Sequence, residues 1–159
     1  MEFDAVDRSI LRILQEDGRA SHAFIAKQVN LSAPAVGERI RKLEQAGVIR
    51  GYRAVLDARA LGLGVTAFVS ISPQPRKPAS GLVARLSQLP PIEQLYSVAG
   101  TYSYMALVRV ATTEELDAFL DRLFTLEGVE RTETTMVLRT SLDGPVQLPF
   151  QDDADSDRF

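Results

Sequence analysis

The spacing of apolar residues changes at Val65, and this change limits the possible folds more than any other feature. Up to residue 64, apolar residues recur every three or four positions, the spacing of helices that bury one face. From Val65 onward, apolar and polar residues alternate in short stretches bounded by glycine and proline, which is typical of strands. The sequence therefore predicts an α+β chain with a helical N-terminal part and a sheet-forming C-terminal part.

Two short helices are predicted first. The first helix begins at the N-cap Asp4, with Asp7 as the second residue of a capping box, and ends at Gly18. The second helix follows Ser21. Asn30 then stands where a tight turn needs a left-handed residue, since asparagine tolerates positive φ better than most residues. A third helix after so tight a turn gives a helix-turn-helix.

The third helix has marked ends and two different faces. Ser32 is its N-cap, Pro34 lies in the first turn, and Gly47 ends it. Val36, Ile40 and Leu43 share the predicted buried face. The opposite arc begins with small residues and continues with polar and cationic ones, namely Pro34, Ala35, Glu38, Arg41, Lys42 and Gln45, with Arg39 at its edge. This arrangement suits entry into the major groove of DNA.

Small and cationic side chains would have separate tasks in that groove. Ala35 and Gly37 allow a close approach to base edges, while Arg41 and Lys42 reach guanine acceptors or phosphate oxygens. The full predicted DNA-contacting set is His22, Ser32, Ala33, Pro34, Ala35, Gly37, Glu38, Arg39, Arg41, Lys42, Gln45, Arg50 and Arg53. Two alternatives stay open: Arg39 pairs with an acid of the first helix, and His22 is a plain surface residue.

The formal net charge of −3 is unevenly distributed. Residues 1–64 carry ten Lys and Arg against eight Asp and Glu, a net +2, whereas residues 65–159 carry eight against thirteen, a net −5. Between residues 39 and 53, five basic residues accompany a single acid, which favours phosphate contact. A solvated charged surface is the alternative interpretation of the same residues.

A strand and a linker are predicted to follow the third helix. Residues 48–57 have the pattern of a strand, which would make the first domain a winged helix-turn-helix. The predicted domains are 1–58 for DNA binding, a glycine-containing linker at 59–64, a sheet domain at 65–145 for effector binding and oligomerisation, and a disordered acidic tail at 146–159. Within the sheet domain, strand and helix patterns follow in the order βαββαβ, a ferredoxin-like arrangement.

Several sequence segments together resemble the Lrp/AsnC family of bacterial and archaeal regulators. They are Asp4-Ala-Val-Asp7, Asp17-Gly-Arg19, Leu31-Ser32, Arg39-Ile-Arg-Lys-Leu-Glu44 and Gly47-Val-Ile-Arg-Gly-Tyr52. The resemblance covers residues 3 to about 142. It implies a transcriptional regulator that binds a palindromic operator with residues 22–41. It also implies dimers formed through the sheet domain, rings such as tetramers or octamers, and a small effector bound between dimers.

The resemblance places the effector turn at Gly100, Thr101, Tyr102, Ser103 and Tyr104. In the family, the glycine is usually followed by alternating acidic residues, but here Thr101 and Ser103 occupy those positions. An amino-acid effector would lose a charge-assisted bond to its ammonium group. We therefore expect an effector other than a common amino acid, or none. Tyr102 and Tyr104 are alternatively core or interface aromatics.

Two other functions compete with DNA binding. The two-domain fold also resembles that of sirohaem decarboxylases, but the sheet domain has no histidine and a net charge of −5, which disfavours a polycarboxylate tetrapyrrole. Alternatively, the helix-turn-helix is vestigial in an assembly module. Absence of cysteine excludes thiolate metal sites, and no apolar run has the length of a membrane span. We expect a cytoplasmic protein with no enzymatic activity, no metal and no cofactor.

Overall fold

The computed structural model describes residues 3–75, 79–146 and 148. The chain divides into two compact units. The first unit contains the residues up to Val55 together with the described residues from Asp143 onward, and the second extends from Leu56 to Leu142. The predicted linker at 59–64 falls within the second unit, where residues 58–62 form turns.

The first unit contains three helices: α1 (Ala5–Glu16), α2 (His22–Gln28) and α3 (Ala33–Gln45). The N-caps predicted at Asp4 and Ser32 are observed, and Asp4 and Asp7 form the complete capping box. Ser21, after which the second helix is predicted to begin, is the N-cap of α2. The buried residues of the unit come from all three helices: Ile10, Leu11, Ile25, Ala26, Val36, Ile40 and Leu43. One apolar stripe per helix therefore suffices to join the helices around a single core.

The turn between α2 and α3 has the predicted backbone conformation. Asn30 has φ 53°, and Leu31 donates its N–H to the Ala26 carbonyl oxygen at 3.0 Å. Gly47, with φ 71°, follows α3 where the chain must leave the helix. The sequence signals at both positions are local, and both predictions are confirmed.

The predicted strand at residues 48–57 is wrong for the single chain, because none of these residues belongs to a strand. Val48 and Ile49 donate their N–H groups to the Leu43 carbonyl oxygen, and residues 51–57 continue without regular structure. A strand is stable only when another strand satisfies its backbone groups. Within the described part of the chain, no strand pairs with residues 48–57. The wing of the predicted winged helix-turn-helix is therefore not formed.

The second unit has the predicted order βαββαβ. Its elements are β1 (Val65–Pro73), α4 (Ala79–Leu86), β2 (Ile92–Ser97), β3 (Tyr104–Val110), α5 (Thr113–Phe124) and β4 (Val129–Met136). The strands are antiparallel and lie in the order β2-β3-β1-β4. This is the ferredoxin-like arrangement that the sequence predicts.

The two faces of the sheet are covered differently. One face packs against α4 and α5 through a core containing Ala67, Val69, Ile71, Leu82, Leu86, Ala106, Val108, Leu116, Phe119 and Leu123. Among the described residues, this core and that of the first unit share no side chain. The other face, called here the open face, carries Thr66, Phe68, Ser70, Met105, Leu107, Arg109, Arg131, Glu133 and Thr135, which alternate with the core residues in register.

Only two residues of the predicted tail, Val146 and Leu148, are described, and both contact the helical part of the first unit. Gln15 donates its side-chain N–H to the Val146 carbonyl oxygen at 2.7 Å, and Leu148 packs against the helical core. Residue 147 and residues 149–159 lie outside the described residues, as does the prediction of disorder that concerns them.

Candidate nucleic-acid interface

Helix α3 is held by its buried face and presents the other face to solvent. Val36, Ile40 and Leu43 are at most 5% exposed. Ser32 Oγ accepts the Ala35 N–H at 3.3 Å and thereby satisfies one amide of the first turn. The predicted outward residues Ser32, Pro34, Glu38, Arg41, Lys42 and Gln45 are exposed, whereas Ala33, Ala35, Gly37 and Arg39 are half-buried. A fixed helix with an exposed cationic arc is therefore present.

Gly37 lies where α3 meets the start of α2. A Cβ atom built on Gly37 would lie 3.1 Å from Nδ1 and 3.3 Å from Cε1 of His22, closer than most side-chain contacts. The sequence suggests that Gly37 allows approach to DNA, but here its missing side chain leaves room for the His22 ring. His22 itself is exposed at the first position of α2.

Arg39 joins α3 to the start of α1. Its Nη1 donates to Asp4 Oδ2 at 2.7 Å and to Asp7 Oδ1 at 2.8 Å. The backbone N–H of Asp7 and the Arg39 guanidinium hold the pKa of Asp4 below its ordinary value, and the two carboxylates raise the pKa of Arg39. Of the two predicted roles for Arg39, the structure thus contains the ion pair between helices.

Glu38 lies at the centre of the exposed arc and binds Arg41. The Arg41 Nη2 group donates to Glu38 Oε1 at 2.7 Å and to Oε2 at 2.8 Å, and Nε donates to Oε2 at 3.1 Å. Lys42 Nζ lies 3.9 Å from Glu38 Oε1. The hydrogen bonds from Arg41 are the main cause that lowers the pKa of Glu38. The arc is therefore a charge cluster in which one carboxylate lies between two cations.

Arg50 and Arg53 are exposed on the irregular segment after α3, not on a strand. Tyr52 lies between them in sequence and donates its hydroxyl to Glu44 Oε1 at 3.1 Å. Burial and this hydrogen bond raise the pKa of Tyr52. Tyr52 and Glu44 line a cavity of about 440 Å³ together with Arg19, His22, Gly37 and Arg41. The tyrosine thus links the segment to α3, a contact that sequence reasoning missed because no periodicity joins the two residues.

The predicted effector turn lies in the second unit, between β2 and β3. Val98 donates its N–H to the Ser103 carbonyl oxygen, and Ser103 donates its N–H to the Ile71 carbonyl oxygen. Gly100, Thr101 and Ser103 are exposed, whereas Tyr104 is only 6% exposed and belongs to the core. Tyr104 is therefore unsuited to contact an effector, because its side chain packs with the sheet and helices.

Tyr102 lies beside charged residues that the sequence did not associate with the turn. Its hydroxyl donates to Glu133 Oε2 at 2.6 Å, and the Arg131 guanidinium carbon lies 4.8 Å from its ring centroid. The bond to Glu133 is the main cause that raises the pKa of Tyr102. The turn thus has a carboxylate beside it, from β4, although Thr101 and Ser103 supply none.

Neither a metal site nor a membrane span is found in the described ranges. Residues 3–75, 79–146 and 148 contain no group of three or more His, Asp or Glu side chains placed to hold a metal ion. No described helix combines the length and apolar character needed to cross a membrane.

Comparison with known proteins gives similarity over both units. The AsnC-type helix-turn-helix domain model matches residues 3–44, and the Lrp/AsnC ligand binding domain model matches residues 66–147. The chain is 37% identical over 149 residues to the HTH-type transcriptional regulator FL11 of Pyrococcus horikoshii, and the aligned region covers 94% of this chain and 97% of that protein. It is 39% identical over 147 residues to the HTH-type transcriptional regulator LrpA of Mycobacterium tuberculosis, with 92% and 97% covered.

Solved structures agree with these matches. The feast or famine regulatory protein from M. tuberculosis, complexed with L-methionine, superposes on the chain with a TM-score of 0.87 at 40% identity. The superposition covers 93% of this chain and 100% of that one. The similarity therefore extends across the helical unit and the sheet unit alike.

Proposed function

Because the chain belongs to the Lrp/AsnC family of DNA-binding transcriptional regulators, we propose that α3 enters the major groove and that Arg41 and Lys42 contact DNA there. The exposed cationic arc on a capped helix is the observation that carries this assignment. Ser32 to Ala35 form the N-terminal turn, where the positive end of the helix dipole favours a phosphate or a base acceptor. Gln45 completes the arc, and Arg50 and Arg53 supply cations beside it.

The relatives are named as transcriptional regulators, which confirms the expectation of a regulator and not an enzyme. A regulator acts where the chromosome lies, so we place its action in the cytoplasm. The sheet unit matches a ligand binding domain, in agreement with the predicted effector module.

Self-association through the open face is the second part of the proposal. Phe68 of the open face is 38% exposed, and Tyr96 of β2, which is paired with Met105 of that face, is 48% exposed. Exposed aromatic side chains on a sheet are typical of an interface. A two-fold dimer would present two α3 helices to half-sites separated by one helical turn of DNA or a multiple of it. The operator is then roughly palindromic.

An effector site at the 100–104 turn is the third part. A relative is seen with L-methionine, so an amino acid is the first ligand to consider. In this chain, Thr101 and Ser103 offer hydroxyl groups, and Glu133 already binds Tyr102. We propose that this site does not favour common amino acids, because it lacks free carboxylates on the turn to bind the ammonium group.

Removal of Arg41 tests the DNA-binding surface. We expect Arg41→Ala to weaken binding to a selected operator about 10-fold, because one good base or phosphate contact is lost. A gel-shift titration at fixed salt measures the affinity, and Arg122→Ala, the same charge change on α5, is the control. Unchanged binding by Arg41→Ala, or equal losses in both variants, would contradict the assignment.

A further inference from the structure

We propose that Glu38 is a positioning residue for DNA recognition: it holds the Arg41 guanidinium so that the remaining edge contacts a guanine. This inference rests on the proposed groove entry of α3. A carboxylate in the groove is repelled by the DNA backbone. Attraction to phosphate therefore does not explain the presence of Glu38 on this helix face, whereas a positioning role does.

The hydrogen bonds divide the Arg41 guanidinium into a used edge and an unused one. Glu38 accepts from Nε and Nη2, and within the described residues Nη1 makes no hydrogen bond. A guanidinium has five N–H donors in a rigid plane. Because the group is planar, fixing Nε and Nη2 also fixes the direction of Nη1, which keeps both of its N–H donors. An N–H donor held in this direction can match the O6 or N7 acceptor of guanine.

Folding stability does not account for the pair. The side chains of Arg41 and Glu38 are 56% and 47% exposed, and they stand three residues apart on one helix. Such exposed pairs contribute little to stability because water solvates both ions well. By contrast, an arginine that is already oriented loses less side-chain entropy when it binds. The benefit of the pair thus appears in binding and in base selection.

The position of Glu38 gives the second consequence. It lies between Arg41 and Lys42 at the centre of the arc, with Lys42 Nζ 3.9 Å from its Oε1. On DNA without the matching guanine, the carboxylate retains its repulsion from phosphate and the arginine gains no base contact. Glu38 should therefore lower affinity for unrelated DNA while it supports affinity for the operator. Both effects increase selectivity.

The experiment compares the wild-type protein with four variants on selected and altered DNA. An operator is first selected from a random pool with wild-type protein. Fluorescence anisotropy then measures Kd for that operator, for versions in which each guanine is replaced in turn, and for unrelated DNA. The variants are Glu38→Gln, Glu38→Ala, Arg41→Ala and the double variant Glu38→Ala/Arg41→Ala. Glu16→Gln, which neutralises an exposed acid in the last turn of α1, is the control.

We expect one guanine per half-site to carry discrimination of about 5- to 150-fold in the wild type. Both Glu38 variants should lose most of that discrimination and bind unrelated DNA more tightly. Arg41→Ala should lose it too, and the double variant should lose no more, because both residues act through one contact. Glu16→Gln should keep the wild-type preference.

Two results would overturn the inference, and they differ from failure of the proposed function. If the wild-type protein selects an operator but Glu38→Gln and Glu38→Ala keep full discrimination at every guanine, the positioning role is wrong while groove entry stands. The positioning role is also wrong if the two losses add in the double variant. If the wild-type protein selects no sequence, the proposed function itself fails. Circular dichroism of each variant checks that the helices are retained.

Discussion

Asp4 makes two contacts, one with the nearby residue Asp7 and one with Arg39, which is distant in the sequence. As N-cap, its Oδ1 accepts the Asp7 N–H at 2.8 Å, and its Oδ2 accepts from Arg39 on α3 at 2.7 Å. The cap could be predicted because its signal lies within four residues. The ion pair was one of two open alternatives, since a separation of 35 residues leaves no periodic trace. Pairing between helices depends on the packing angle, which composition does not encode.

Replacement of Asp4 by alanine should destabilise the helical unit by about 1 kcal/mol at pH 7, the usual cost of losing a side-chain N-cap. The pKa of Asp4 is lowered from its ordinary value of 3.8, so the contribution is present above that pH and is lost as pH falls through the lowered pKa. The difference between wild type and variant should therefore shrink below about pH 4.

Urea unfolding at pH 7 and at pH 3 measures this difference. Glu16→Ala removes the same charge from the last turn of α1 and is the control; it should cost little, because an acid at that end opposes the helix dipole. Equal losses in the two variants, or a difference that grows on acidification, would contradict the expected role of Asp4.

Elements were predictable where their signals are local or periodic. The helix caps, the turn at Asn30 and the four alternating strands of the sheet unit all follow from such signals. The strand predicted at residues 48–57 is not formed, because a strand needs a partner strand, and the spacing of apolar residues does not show whether one is present. At the effector turn, the loss of acids was visible in the sequence, whereas Glu133 was not, since β4 reaches the turn only through strand pairing.

The turn between β2 and β3 gives a prediction about ligands. Common amino acids at 10 mM should shift the melting temperature of the wild type by less than about 1 °C, because stabilisation by a ligand requires a concentration well above its Kd. The variant Thr101→Asp/Ser103→Asp should gain several degrees with L-methionine, since it restores carboxylates for the ammonium group.

Differential scanning fluorimetry of both proteins provides this measurement. Thr112→Ala, which removes the exposed cap of α5, should lower the melting temperature without creating any response to amino acids. Strong stabilisation of the wild type by a common amino acid would show that the turn needs no acid of its own.

On the scale of the whole molecule, the open face is the surface that we propose for self-association. We expect Phe68→Asp to weaken self-association roughly 30-fold or more, because a buried charge opposite a second copy of the sheet has no partner. The Phe68 side chain is outside the core and faces Leu107 and Thr135 across the strands, so the fold should persist.

Sedimentation velocity over a range of concentrations measures the association. Phe124→Asp, at the exposed end of α5, introduces the same change away from the open face and should leave association unaltered. Dimers of undiminished stability in Phe68→Asp would locate the interface elsewhere.

The separation of the two hydrophobic cores bears on how such a protein diversifies. No described core side chain serves both units, so a substitution that repacks the sheet core removes no contact from the core that supports α3. The sequence of each core can therefore change without a compensating change in the other core. A laboratory chimaera should therefore take residues 1–55 and 143–159 from one parent and residues 56–142 from the other, and we expect it to have the operator of the first and the ligand of the second.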